Sequence, residues 1–162
     1  MSRYPELEII NALYDVLSID STLITRTIDT VEKTTEFYKL LSLSELITYK
    51  RENKNEELRL FNVPIVVINN KGMDFTKDGN ASDKINPTIA LDILVSNYDL
   101  IVSKTEAQKL AYDIKEILSK NKGLLSRNGL SRVYKITPMG YIKVHESEYQ
   151  YYYRCEIENI LR

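Results

Sequence analysis

The sequence predicts an α+β fold, an antiparallel or mixed β-sheet with helices packed on one face. Three observations predict it. The closing segment alternates with a period of two, which marks a strand with one dry and one wet face. Two other segments carry apolar stripes at helical spacing. Strands and helices then mix without a repeating βαβ unit. The predicted order is α-(insertion)-β-β-α-β-β, in a single domain over residues 1–162 with residues 18–60 as an insertion or arm.

The first helix is predicted at Pro5 to Leu17. Pro5 suits the first turn, where its missing N–H is not needed. Glu6 and Glu8 favour the positive end of the dipole, and Ile9, Ile10, Leu13, Val16 and Leu17 form a broad stripe. Thr is dense between Thr22 and Thr35, which weakens any helix there. Leu23, Ile24, Ile28 and Val31 fit a short strand or extended arm. Phe37, Leu40, Leu41, Leu46 and Ile47 suggest one or two helices. Lys50 to Glu57 is a charged run, read as a solvated loop or helix end.

Ile65, Val66, Val67 and Ile68 form a continuous β-branched run, the pattern of a strand buried on both faces. Asn70 to Asn86 is polar, contains Gly72 and Gly79, and reads as a long exposed loop. Pro87 to Ser96 is the next strand, with Ile89, Leu91, Ile93 and Val95 on one side and Leu94 breaking the pattern on the wetter one. Tyr98 to Val102 extends or kinks it. Ser103 and Glu106 fit a capping box. The helix after it runs through Ala107, Leu110, Ala111, Ile114, Ile117 and Leu118, with Gly123 as its C-cap. Strands at Arg132–Thr137 and Tyr141–Ile157 follow, separated by a turn at Pro138-Met139-Gly140.

Composition narrows the function. Of 162 residues, 22 are Lys or Arg and 23 are Asp or Glu, a balance that gives no general attraction to nucleic acid or membrane. The single cysteine, Cys155, excludes an internal disulfide and any multi-cysteine zinc site. On the apolar parity of the last strand it reads as a small buried hydrophobe. No N-terminal apolar run suggests a signal peptide, and no apolar stretch is long enough for a membrane helix. A cytosol is the expected compartment.

No catalytic constellation, cofactor site or metal site is indicated. His145, the sole histidine, has no indicated nucleophilic partner. Asp74 to Gly79 superficially fits a calcium loop, but the twelfth position would be Ile85 where a bidentate Glu is needed. Gly72 and Gly79 lack the Lys-Ser/Thr of a phosphate loop. Asn80-Ala81-Ser82 fits a glycosylation sequon, without meaning if the chain is not secreted. Glu146, Glu148, Glu156 and Glu158 read as solvated carboxylates.

The tyrosines carry more information. Tyr149, Tyr151 and Tyr153 share the apolar parity with Cys155 and Ile157; Tyr152 stands with Arg154 on the other. Tyr and Arg are enriched in protein interfaces. The flanking glutamates favour a protein over a phosphate backbone. The expected contact residues are Tyr152, Arg154 and Glu156 on the strand, and Lys71, Asp74, Phe75, Lys77 and Asp78 in the loop.

Three segments resemble one family. They are the opening IINALYDVL run, the passage TIALDILVSNYDLIVSKTEAQKLAYDIKEIL, and the closing ITPMGYIKVHESEYQYYYRCEIENIL, where a Pro-x-Gly-Tyr turn precedes an acidic, aromatic-rich strand. Together they look like the tail-terminator (tail-completion) proteins of long-tailed phages and phage-tail-like bacteriocins. The resemblance covers about half the chain and leaves residues 18–60 unexplained. It implies a structural, non-enzymatic protein of the virion or tail-like particle, assembled in the cytoplasm of a bacterial host. Its expected partners are itself, as a hexameric ring, and the tail tube protein. Sheath protein and a neck or head-completion protein are further expected partners. The ring would cap the head-proximal end of the tail, stop polymerisation and offer a docking surface. The extra mass of residues 18–60 leans toward a contractile tail. A head–tail connector ring, a monomeric binding module and a small enzyme with an unrecognised site are the alternatives.

Overall fold

The computed structural model describes residues 4–54, 63–77, 83–121, 129–144 and 148–161. Helix α1 spans Pro5–Leu17 and has Pro5 in its first turn, as predicted. A four-residue helix α2 (Ser21–Ile24) is capped by Asp20, whose carboxylate accepts from the N–H groups of Thr22 and Leu23. It leads into the hairpin β1 (Thr25–Ile28) and β2 (Val31–Thr34). Asp29 and Thr30 at its turn have φ of 51° and 63°. Two successive left-handed residues are what a tight hairpin turn of matching twist requires. Gly or Asn meets that requirement with less strain than Thr.

Among the described residues the main sheet has five strands in the order β3-β4-β5-β7-β6. These are β3 (Glu36–Lys39), β4 (Ile65–Lys77), β5 (Asp83–Asn97), β6 (Gly129–Val144) and β7 (Glu148–Leu161). β3 runs parallel to β4 and every other pairing is antiparallel. The mixed α+β class is therefore as predicted. Phe37, read as part of a helix, instead lies in this short parallel strand.

Helix α4 (Leu100–Lys120) and α1 cover one face. Their stripes (Ile10, Leu13 and Leu17; Leu110, Ala111 and Ile114) meet Val66, Ile68, Leu91, Ile93, Tyr153 and Cys155 in one continuous core. Leu23 and Ile28 join it from α2 and β1. Arg26 ties the hairpin to α4 through Asp113 at 2.5 Å. Lys39 ties β3 to α1, donating to Asn11 at 2.8 Å with its ammonium 4.7 Å from the Tyr14 ring centroid.

Helix α3 (Leu43–Lys54) covers part of the opposite face. There Leu46, Ile65, Val67 and Leu94 form a second, smaller core, bordered by Tyr38, Ile47 and Tyr152. Leu94 is thus no breach of the pattern: its side of β5 is also dry, because α3 lies over it.

Caps and turns account for the remaining differences. α4 begins at Leu100, three residues before the expected Ser103. Asp99 is its N-cap, accepting from Ile101 and Val102. Ser103 is fully buried within the helix. The reciprocal capping box belongs to α3: Ser42 N–H donates to Glu45 Oε1 at 3.0 Å, and Glu45 N–H donates to Ser42 Oγ at 3.1 Å. Asn121 caps the end of α4, its side-chain amide donating to the Ile117 carbonyl. Gly123, expected there, lies outside the described residues.

Pro138-Met139-Gly140 is no turn. The register shifts between Pro138 and Gly140, so these residues form a bulge inside β6, with Gly140 at φ 103°. Pro is tolerated there because β6 is an edge strand. Tyr141 to Val144 consequently belong to β6 rather than β7. His145 and Glu146 lie outside the described residues.

Candidate functional site

The closing strand pairs on both sides, with β5 and with β6, which fixes each residue's neighbours. On the α4 side, Tyr151, Tyr153, Cys155 and Ile157 are buried, as their parity predicts. The Tyr151 and Tyr153 rings lie 5.4 Å apart between centroids. Burial, with the negative charge of Asp92 adding to it, pushes the Cys155 thiol pKa up to about 12. The cysteine is thus an inert packing group at neutral pH. Tyr149, nearer the end of the sheet, is half-buried and packs edge-on against Tyr141 at 5.7 Å.

The other parity departs from expectation. Tyr152 and Arg154 do not stand exposed together. Tyr152 lies opposite Leu94 and borders the second core, and burial raises its phenol pKa. Arg154 lies opposite Asp92 and pairs with it, Nε to Oδ1 at 2.7 Å and Nη2 to Oδ2 at 3.4 Å. The side chains retain 27% and 10% exposure, so the pair is largely withdrawn from water. The hydrogen bond to Asp92 is the main reason the guanidinium pKa rises. Glu156 accepts from the Tyr134 hydroxyl at 2.9 Å. Gln150, placed by parity on the wet face, is 1% exposed. This stretch is therefore occupied mainly with intramolecular contacts.

The segment expected to be a loop is largely strand. β4 continues to Lys77 and β5 starts at Asp83, paired from Gly72↔Thr88 to Lys77↔Asp83. A register shift between Asn70 and Gly72 marks a bulge where this extension begins. Lys71, Asp74, Phe75 and Lys77 therefore sit on a β-ribbon, and Asp78 lies outside the described residues. β3 stops at the level of Ile68, and β7 joins β5 only from Ile89. Among the described residues no third strand is paired with the six pairs beyond. At about 3.3 Å per residue, these six pairs run roughly 20 Å beyond the last residue of β5 that pairs with β7, while β6 and β7 remain paired past Ile157 to Gly129↔Leu161.

Of the Tyr152–Glu156 stretch, Glu156 lies nearest the ribbon, opposite Ala90 and two residues from Thr88, whereas Tyr152 and Arg154 lie further along β5, opposite Leu94 and Asp92. Parity reasoning missed the residues that are exposed: Met139, Tyr141 and Ile142 on β6, each at least 50% accessible. A strand with a neighbour on one side only could have pointed to them, but that edge position is a property of the whole sheet.

Among the described residues, no group of three or more His, Cys, Asp or Glu is placed to hold a metal. Among the described residues no helix is long and apolar enough to cross a membrane.

No family model matches the chain, and no curated protein matches it. Among solved structures, a chain from "Virion of native gene transfer agent (GTA) particle" aligns over 95% of this chain and 96% of its own. The TM-score is 0.40 and the identity 12%. A likeness that shallow leaves the role of this chain to be argued from its own residues.

Proposed function

We propose that this chain is a structural ring subunit that caps the head-proximal end of a phage tail or tail-like particle. It ends growth of the tube, and of a sheath if the tail is contractile, and offers a docking surface to the neck or head. The reading starts from the resemblance of the opening helix, the β5–α4 passage and the closing hairpin to tail terminators. The observation that carries it further is the β4–β5 ribbon. A two-stranded ribbon is marginal in water by itself, so one with which no other described strand pairs is suited to a neighbouring molecule. Polar groups of the closing strand are engaged with its neighbours β5 and β6, as in Arg154–Asp92 and Glu156–Tyr134. That is the pattern of a scaffold rather than of a poised catalytic group.

The test adds purified chain to polymerising tail-tube protein and follows tube length by electron microscopy. Capping predicts short tubes, each ending in a ring. Tubes that elongate as before, with no density at either end, contradict the reading.

A further inference from the structure

The charges of helix α4 are sorted by side. Asp113 faces the β1–β2 hairpin and pairs with Arg26. Glu106 pairs with Lys109, and Glu116 with Lys120. On the other flank, at 3.6 residues per turn, lie Lys104, Gln108 and Lys115. That flank faces β7 and β6, since the Lys104 ammonium stands 5.6 Å from the Tyr151 ring centroid. The sheet adds a third cation on this side. Tyr141 and Lys143 of β6 lie opposite Tyr151 and Tyr149, and the Lys143 ammonium is 5.8 Å from the Tyr149 ring centroid. Ile142, opposite Gln150, belongs to the other side of the sheet and takes no part.

Among the described residues no carboxylate pairs with Lys104, Lys115 or Lys143, and all three are exposed. β6 carries no Asp or Glu from Gly129 to Val144. The result is a cationic surface backed by tyrosines. Ammonium groups resting on the Tyr149 and Tyr151 rings close those ring faces to a stacked base. They keep N–H donors for a carboxylate. Three lysines in a chain of net charge −1 are also few for a phosphate backbone. The favoured occupant is a protein surface that bears carboxylates.

The chain carries such a surface at its other edge. Tyr4, Glu8, Asn11 and Asp15 form an exposed stripe along α1, with Leu7 beside it, 43% exposed. Lys39 of β3 reaches this stripe at Asn11, so two carboxylates stand against one ammonium. α1 lies mainly over β3 and β4, and α4 over β5, β7 and β6. β3 and β6 are opposite ends of the sheet, four strand spacings or about 19 Å apart. One molecule therefore does not bring its own α1 stripe onto its own lysines. A two-fold contact between equal surfaces would set lysines against lysines or carboxylates against carboxylates. The unlike surfaces match in charge, and each adds exposed apolar area, Tyr4 and Leu7 on one and Tyr141 on the other.

We propose that the outer stripe of α1 in one copy, with Glu8 and Asp15, docks on the α4–β6 face of the next, with Lys104, Lys115 and Lys143. Such a contact is head-to-tail, and repeated head-to-tail contacts close into a ring or run on as a filament. The inference rests on the ring reading and names its subunit contact.

The experiment uses full-length chain with Lys104→Glu/Lys143→Glu, which reverses the α4–β6 face, and with Glu8→Lys/Asp15→Lys, which reverses the α1 stripe. Circular dichroism confirms the fold of each, and light scattering gives the mass. Wild-type chain at high concentration is expected to form closed oligomers whose mass falls as salt is raised. Each variant alone is expected to be monomeric. An equimolar mixture is expected to regain the oligomer, because each reversed surface then meets its opposite charge on the other variant. Variants that keep the wild-type mass overturn this contact and leave the ring reading standing, as does a mixture that stays monomeric. Wild-type chain that is monomeric at its highest soluble concentration in low salt also overturns the contact. Binding of a single-stranded oligonucleotide that is lost in Lys104→Glu/Lys143→Glu would assign the face to nucleic acid instead. The ring reading falls separately, when tubes grow unchanged in the presence of the chain.

Discussion

The two faces of the sheet are built differently. The face under α1 and α4 is apolar from Phe37 across to Val133, with Leu91, Ile93, Tyr153 and Cys155 between. The face under α3 is apolar only over Ile65, Val67, Leu94 and the neighbouring Tyr152. Beyond these it holds the Asp92–Arg154 pair. The first face is continuous because two long amphipathic helices lie on it. The second is covered by one helix of 12 residues, and β5 and β7 extend past it. Where that cover ends, a largely buried ion pair marks the boundary. The first face thus holds the fold together, and the second adjusts between core and surface.

The largest effect expected from breaking this contrast is on the first face. Leu110→Ala removes a fully buried side chain between α4 and the sheet, at about 3 kcal/mol. Urea unfolding measures it, and a cost below about 1 kcal/mol would show that this core collapses around the gap. On the second face, Arg154→Ala leaves Asp92 withdrawn from water without its cation. The expected cost is about 2 kcal/mol, lower than for a fully buried pair because part of Arg154 still meets water. Adding Asp92→Asn should return part of that loss, and a double-mutant cycle reads the coupling. Additive losses would show that the two residues act independently.

The alternation of the closing strand reports this difference only in part. Odd positions from Tyr151 to Ile157 are buried as their period predicts, since α4 packs on that face. Even positions look wet by the same rule. Tyr152 is not, because helix α3 is supplied from about a hundred residues earlier in the chain; Gln150 is buried too, accepting from the Tyr152 hydroxyl at 3.2 Å. A period of two identifies two faces but cannot say what covers the second. The α1 stripe and the Ile65–Ile68 run were legible because burial there follows from local pattern alone. Strand β3 was not, since four residues held by a parallel neighbour carry little local signal. The start of α4 was misplaced because Asp99 and Ser103 both suit an N-cap, and only the backbone distinguishes them. The ribbon was hidden by its polar residues, which by composition suit a loop as well as a strand.

Smaller effects are expected at the edge of the second face. Ser42→Ala removes the cap of α3 and should cost about 1 kcal/mol by thermal unfolding. The hydrogen bond from the Ser42 backbone N–H, with a further contribution from its side chain, lowers the Glu45 carboxyl pKa in the folded protein. A lowered folded-state value means this carboxylate stabilises the fold above its unfolded pKa. That contribution fades as pH falls through the folded value. Glu45→Gln should therefore flatten the acid limb of the stability curve and leave its shape above neutral pH unchanged. An unaltered acid limb would remove the capping box from the account. The smallest change is a gain: Thr30→Gly relieves a left-handed residue in the β1–β2 turn and should add about 0.5 kcal/mol.

A ring of this kind acts in the assembled particle rather than as an isolated chain. The measurement that tests it most directly is the distribution of tail lengths after deletion of the gene, read by electron microscopy. Loss of a terminator ring predicts overlong tails without heads, or polysheath where the tail is contractile. Tails of normal length, joined to heads as before, would contradict it.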